Sequence, residues 1–176
     1  MAALPERLAA TIRTVENFPR PGISFKDITP VCADIELLGD CARALARKWE
    51  NAEVKAVAGI EARGFFLGPL VAMQLSVGFL PIRKPGKLPR ETLSVSYELE
   101  YGTDSLEIHR DAACGGQNIL LVDDLLATGG TAEAAVSLLE QTGASVIGCG
   151  FIVELGFLEG AARLPGREVF SLLRYD

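Results

Sequence analysis

The sequence holds a single histidine, a single tryptophan and four cysteines in 176 residues. Cys32, Cys41, Cys114 and Cys149 offer no pair at metal-ligand spacing, and one histidine adds little, which argues against a Cys/His zinc site. A chain of this length builds its own core without disulfide staples, so free, mostly buried thiols and a cytoplasmic protein are expected. Long apolar runs are missing too. None approaches the roughly 18 residues that span a bilayer, so no membrane partner is expected. Glu6, Arg7, Arg13 and Glu16 interrupt the apolar pattern at the start, and no signal peptide is expected there. Basic residues are in deficit, 17 against 23 acidic, for a net charge of −6. That balance argues against nucleic acid as a partner, though not against a local basic patch for a small phosphorylated ligand. What remains is ordinary globular composition, 49% apolar and 23% charged, at the length of one domain, residues 1–176.

Leu4, Leu8, Ile12 and Val15 recur at helical spacing, which predicts an amphipathic helix over roughly the first 16 residues. Phe18-Pro-Arg-Pro-Gly22 cannot continue it and reads as a turn. Residues 23–30 read as irregular. Asp34 is placed to cap a helix whose buried stripe is Leu37, Leu38, Cys41, Leu45 and Trp49. Strands are predicted over 54–60, 77–82, 118–122 and 145–154, and helices over 65–75 and 131–141, the latter ended by Gly143. This alternation predicts an α/β fold, a central parallel sheet flanked by helices. Residues 92–99 break the rhythm: Leu93, Val95, Tyr97 and Leu99 alternate with polar residues, and residues 104–108 follow the Tyr101-Gly102 turn. That pattern predicts a hairpin with one wet face. Together with the basic stretch 84–90 it is expected to form a mobile flap, residues 84–108, over a site on the sheet. No element is assigned beyond Glu154.

The segment Ile119-Leu-Leu-Val-Asp-Asp-Leu-Leu-Ala-Thr-Gly-Gly-Thr131 carries the chemistry. Its apolar strand is expected to end at Val122, which puts Asp123 and Asp124 at a strand end, where open α/β sheets bind ligands. Ionised carboxylates accept hydrogen bonds from adjacent hydroxyls, and a sugar cis-diol offers such a pair. Ala127, Thr128, Gly129, Gly130 and Thr131 follow. Their glycines let backbone N–H groups converge in front of a helix N-terminus, and two threonine hydroxyls add donors. A side chain at Gly130 is expected to block that approach. A diol clamp beside a phosphate cradle describes a ribose 5-phosphate. The other reading is a magnesium site on the paired aspartates, with glycines that only turn the chain.

Gly59 to Gly64 has the glycine spacing of a P-loop, but Phe65 stands where the lysine is needed. Arg63 follows an apolar strand in a glycine-flanked turn, as either a functional cation or an ordinary surface arginine. Arg83, Lys84, Lys87 and Arg90 form either an anion site or a solvated basic loop. His109 reads as a packing or surface residue and Trp49 as core.

The string 119–131 resembles the phosphoribosyl-pyrophosphate motif of type I phosphoribosyltransferases. Five further segments resemble the adenine-specific members of that family: Phe18-Pro-Arg-Pro-Gly-Ile-Ser-Phe-Lys-Asp-Ile28, Gly59-Ile-Glu-Ala-Arg-Gly-Phe65, Ile82-Arg-Lys-Pro-Gly-Lys-Leu-Pro89, Tyr97-Glu-Leu-Glu-Tyr-Gly102 and Leu106-Glu-Ile-His109. The resemblance implies a homodimeric purine-salvage enzyme. It would join adenine to phosphoribosyl pyrophosphate, with Mg2+ held mainly by the substrate, and give AMP and diphosphate. Asp123 and Asp124 would then hold the ribose and Ala127 to Thr131 the 5-phosphate. Glu61, Ala62 and Arg63 would form the pyrophosphate loop, which in this family often contains a non-proline cis peptide. Arg83, Lys84 and Lys87 would reach across the dimer interface to the partner's pyrophosphate. Ser24, Phe25 and Lys26, in an N-terminal hood over residues 1–30, would hold adenine largely through backbone groups, with Phe25 and Leu125 sandwiching the ring. Glu100, on the flap, would approach the purine and, with Arg63, serve catalysis. Sister enzymes that use hypoxanthine, guanine, xanthine or orotate share the ribose motif. A regulator that only binds phosphoribosyl pyrophosphate would need a nucleic-acid-binding face that this acidic chain lacks.

Overall fold

The computed structural model describes residues 2–99, 102–113 and 115–176. The chain opens with helix α1 (Leu4–Thr11), strands β1 (Arg13–Glu16) and β2 (Ser24–Asp27), and helices α2 (Thr29–Ala33) and α3 (Ile35–Lys48). The first helix is shorter than its apolar spacing predicts. Leu8 and Ile12 are buried, but Val15 is 39% exposed and pairs across β1 with Phe25 of β2. Thr11, Ile12, Thr14 and Val15 make a nearly continuous β-branched run, which disfavours helix and favours an extended ladder. Residues 23–30, expected to be irregular, supply that ladder's second strand and the start of α2. Asp34 caps α3 as expected, its carboxylate accepting the amides of Glu36 and Leu37 at 3.1 and 3.0 Å.

Strand β3 (Ala56–Ile60), helix α4 (Gly64–Leu75), strand β4 (Gly78–Ile82), the hairpin β5 (Thr92–Leu99) and β6 (Gly102–His109), strand β7 (Asn118–Leu126), helix α5 (Gly130–Gln141) and strand β8 (Ser145–Leu155) follow. Two 3₁₀ turns, Gly156–Leu158 and Gly160–Arg163, then lead to β9 (Glu168–Tyr175), a strand beyond the last predicted element. The five-stranded sheet runs β4-β3-β7-β8-β9, parallel throughout. Its central strands are buried on both faces. Val57, Leu120 and Val122 join the core beneath α1, α3 and α4, while Ala58, Ile119 and Leu121 join the core beneath α5.

The hairpin's base belongs to that second core. Leu106 and Ile108 are buried, with Leu93, Val95 and Tyr97 packed beside them, so the predicted wet face is the one that carries Ser94, Ser96 and Glu98. The stretch 84–90 has no regular structure, yet ion pairs hold it within the chain, Lys84 to Asp104 and Arg90 to Asp111. Among the described residues no helix is long and apolar enough to cross a membrane.

Candidate active site

From β3 the chain passes through α4 to β4 on one side, and from β7 through α5 to β8 on the other. The two crossovers cover opposite faces, so the sheet has its switch point between β3 and β7. Open α/β sheets present their ligand crevice there. The pairing of β3 with β7 ends at Gly59 and Val122, but β7 continues beside β8 to Leu126. Asp123 and Asp124 thus lie within a strand longer than predicted, on the stretch that β3 no longer covers. A cavity of about 400 Å³ opens over them.

Asp124 is 3% exposed, and Arg63 Nε donates to its Oδ2 at 2.6 Å. The Asp124 amide donates to Asp123 Oδ1 at 2.9 Å. Burial, and then the charge of Asp124, push the half-buried Asp123 carboxyl well above its ordinary range. Both groups line the cavity. Residues 127–131 line the same cavity at the N-terminus of α5. The left-handed residue of that loop is Gly129, with φ +83. Gly130 lies in the first turn of α5, and a Cβ there would meet nothing closer than 3.5 Å. Of the two glycines, it is therefore Gly129 whose backbone excludes a side chain.

Glu61, Ala62 and Arg63 form the opposite rim, and the Glu61–Ala62 peptide is cis. The Glu61 carboxylate is occupied by the basic loop. It accepts from Arg83 Nε at 3.0 Å and from the Lys84 amide at 3.1 Å, and these bonds hold it below the ordinary carboxylate range. Lys84 enters the cavity of its own chain and donates to Asp104 and to the Tyr97 hydroxyl. Burial lowers its pKa, but those two bonds more than offset this and leave it raised. Lys87 is exposed. Tyr97 and Asp104 are lining residues that sequence reasoning missed. The signal was available, because the two sit directly opposite each other on the hairpin's inner face.

The hood stands beside the cavity. The Phe25 ring lies 6.0 Å from the Arg63 guanidinium and packs edge-on against Phe18. Ser24 and Lys26 turn their side chains elsewhere, Ser24 Oγ to Glu16 at 3.1 Å and Lys26 Nζ to Thr14 at 2.9 Å, so only their backbone is left for a ligand. Leu125 lines the cavity. Glu100 lies outside the described residues, as does Cys114; Cys32 is half-buried, while Cys41 and Cys149 are buried.

A family model for the phosphoribosyl transferase domain matches residues 34–167. An adenine phosphoribosyltransferase of Desulfitobacterium hafniense is 54% identical, over 93% of this chain and 95% of that protein. A crystal structure of the adenine phosphoribosyltransferase of Thermoanaerobacter pseudethanolicus superposes with a TM-score of 0.94 at 49% identity, over 98% of this chain and all (100%) of the other. The Saccharomyces cerevisiae adenine phosphoribosyltransferase, solved with adenine and an imino-altritol bisphosphate, gives 0.91 at 39% identity, over 98% and 100% of the two chains. By the domain it matches, the identity over nearly its whole length and the superposition, this chain belongs to the phosphoribosyltransferases, in their adenine phosphoribosyltransferase branch.

Proposed function

We propose that this chain joins adenine to 5-phospho-α-D-ribose 1-diphosphate, giving AMP and diphosphate. The observation that carries the reading is one cavity holding both the Asp123–Asp124 pair and the loop 127–131, spaced as neighbours on one strand-to-helix connection. The choice of adenine rests on the relatives' names. The bond from C1 of the ribose to diphosphate breaks with inversion through an oxocarbenium-like state, and N9 of adenine forms the new bond. The protein's part is positioning and control of charge. Asp123 and Asp124 accept the ribose hydroxyls, and the amides of the loop hold the 5-phosphate. Arg63 exchanges Asp124 for the departing diphosphate, with Lys84 nearby. The hood's backbone reads the base between Phe25 and Leu125. Glu100 hydrogen-bonds the purine imidazole and favours the tautomer that leaves N9 nucleophilic. The flap, residues 84–108, closes over the site and keeps water from the reactive sugar.

Magnesium fits as a companion of the substrate. Among the described residues no three ligating side chains converge, and the carboxylates that line the cavity are Glu61, Asp104, Asp123 and Asp124, of which Glu61, Asp104 and Asp124 are paired with Arg83, Lys84 and Arg63. Bound to substrate oxygens, the ion would supply charge neutralisation on the leaving group. A homodimer fits helix α4. It is apolar at almost every position, and Phe66 and Met73, seven residues apart on one face, are 51% and 73% exposed. Free thiols at Cys32, Cys41 and Cys149 suit a reducing cytoplasm.

The reading is checked by product assays with each base, phosphoribosyl pyrophosphate and magnesium. Adenine is expected to give the highest kcat/KM. A higher value for hypoxanthine or guanine would overturn the base assignment, and no nucleotide with any base would overturn the reaction.

A further inference from the structure

The two 3₁₀ turns after β8 pass directly behind the loop 127–131. Glu159 between them holds φ +51, a left-handed conformation that few residues with side chains adopt. This brings the buried backbone of Gly160 against the loop. A Cβ built on Gly160 would fall inside the van der Waals shell of the Ala127 carbonyl oxygen and 3.0 Å from the Gly129 nitrogen. Reciprocally, a Cβ on Gly129 would collide with the Gly160 carbonyl and lie 3.1 Å from its Cα. Gly160 is not among the positive-φ glycines, so close approach, and not backbone angle, demands glycine here. Arg163 ties the same segment to the first turn of α5, donating to Glu133 at 3.2 Å.

We infer that Gly160 is a positioning residue for the 5-phosphate, acting through the Ala127–Thr128 peptide; the inference rests on the cradle reading above. That peptide is planar and trans, so its C=O and N–H point in opposite directions. With the Ala127 carbonyl packed against Gly160, the Thr128 N–H is turned the other way, to the cavity that both residues line. Gly160 thereby fixes the direction of a phosphate-binding amide without touching substrate.

The test is Gly160→Ala, with AMP and ribose 5-phosphate affinities measured by calorimetry alongside steady-state kinetics. Affinity for both ligands should fall about tenfold or more, with a matching rise in the KM for phosphoribosyl pyrophosphate and little change in kcat or in the KM for adenine. Gly148→Ala is the control. Its Cβ would lie 2.5 Å from Trp49 Nε1, away from the cavity lining, and should lower Tm without moving those constants. If Gly160→Ala does not fold, exposed Glu159 answers the same question. Glu159→Gly suits φ +51 and should keep the affinity; Glu159→Val resists it and should lose affinity. Unchanged AMP affinity in folded Gly160→Ala, or in Glu159→Val, overturns the role of Gly160. In the wild-type protein, ribose 5-phosphate should shift the amide resonances of Thr128 to Thr131, and their failure to move would instead overturn the cradle reading itself.

Discussion

Asp123 sits where a carboxylate is poorly tolerated, half-buried on β7 and next to a second acid. Its pKa is raised, first by burial and then by Asp124. A raised carboxyl contributes stability below the ordinary carboxylate range, and that contribution disappears as pH climbs through the folded-state value. Asp123→Asn removes the titration. The variant should therefore match or exceed the wild-type Tm at neutral pH, while kcat/KM for phosphoribosyl pyrophosphate falls by the equivalent of about 1–3 kcal/mol, the scale of a charge-assisted hydrogen bond. Thermal melts from acid to neutral pH and initial rates check the two halves. A lower neutral-pH Tm with full activity would make Asp123 a scaffold residue. The neighbouring glycines show a finer division of labour. Gly129 needs its left-handed backbone, whereas Gly130 has room for a Cβ, a distinction that two adjacent identical letters cannot convey.

At the level of elements, the base of the hairpin is part of the core. Leu106 is fully buried under α5, so Leu106→Ala should destabilise the protein by about 2–5 kcal/mol. Ser96→Ala, on the exposed face of the same hairpin, should stay within about 0.5 kcal/mol. Chemical denaturation of both variants distinguishes this from a hairpin that merely rests on the sheet, for which the two would behave alike. The hairpin was legible because strict alternation survives in a ladder with one wet face. The central strands were legible because apolar runs between helices admit few other readings. What stayed hidden depends on distant partners. Four-residue β2 is a strand only because β1 lies beside it, and β1 was absorbed into the preceding helical pattern. Strand β9 takes its place through pairing with β8. Asp123, Asp124 and the loop 127–131 were found because one local string carries them. Tyr97 and Asp104 face each other across the hairpin, so its register carries their signal, whereas Gly160 meets the loop from more than 30 residues away, a contact with no local signature.

Across the whole molecule, three cations at or beside the cavity are paired with carboxylates of this acidic chain: Arg63 with Asp124, Arg83 with Glu61, Lys84 with Asp104. Phosphates can replace those carboxylates without a net basic surface. Lys87 is exposed midway along the basic stretch, its charge helping to hold Glu61 below the ordinary carboxylate range and its carbonyl accepting from Arg83 at 3.3 Å. Of the three residues expected to act across an interface, it is the one whose side chain is left to extend from the chain. If a second copy covers the exposed apolar face of α4, and if Lys87 reaches across that interface as the family resemblance implies, each active site combines Asp124 of one subunit with Lys87 of the other. Lys87→Ala and Asp124→Asn homodimers should then both be impaired, while co-refolded mixtures regain activity, because each heterodimer keeps one site with both groups intact. Mixed samples should exceed the average of the two parents, and dilution below the dimer's dissociation range should abolish the gain. Heterodimers demonstrated by mass spectrometry yet no more active than that average would place Lys87 in its own subunit's site or outside the chemistry.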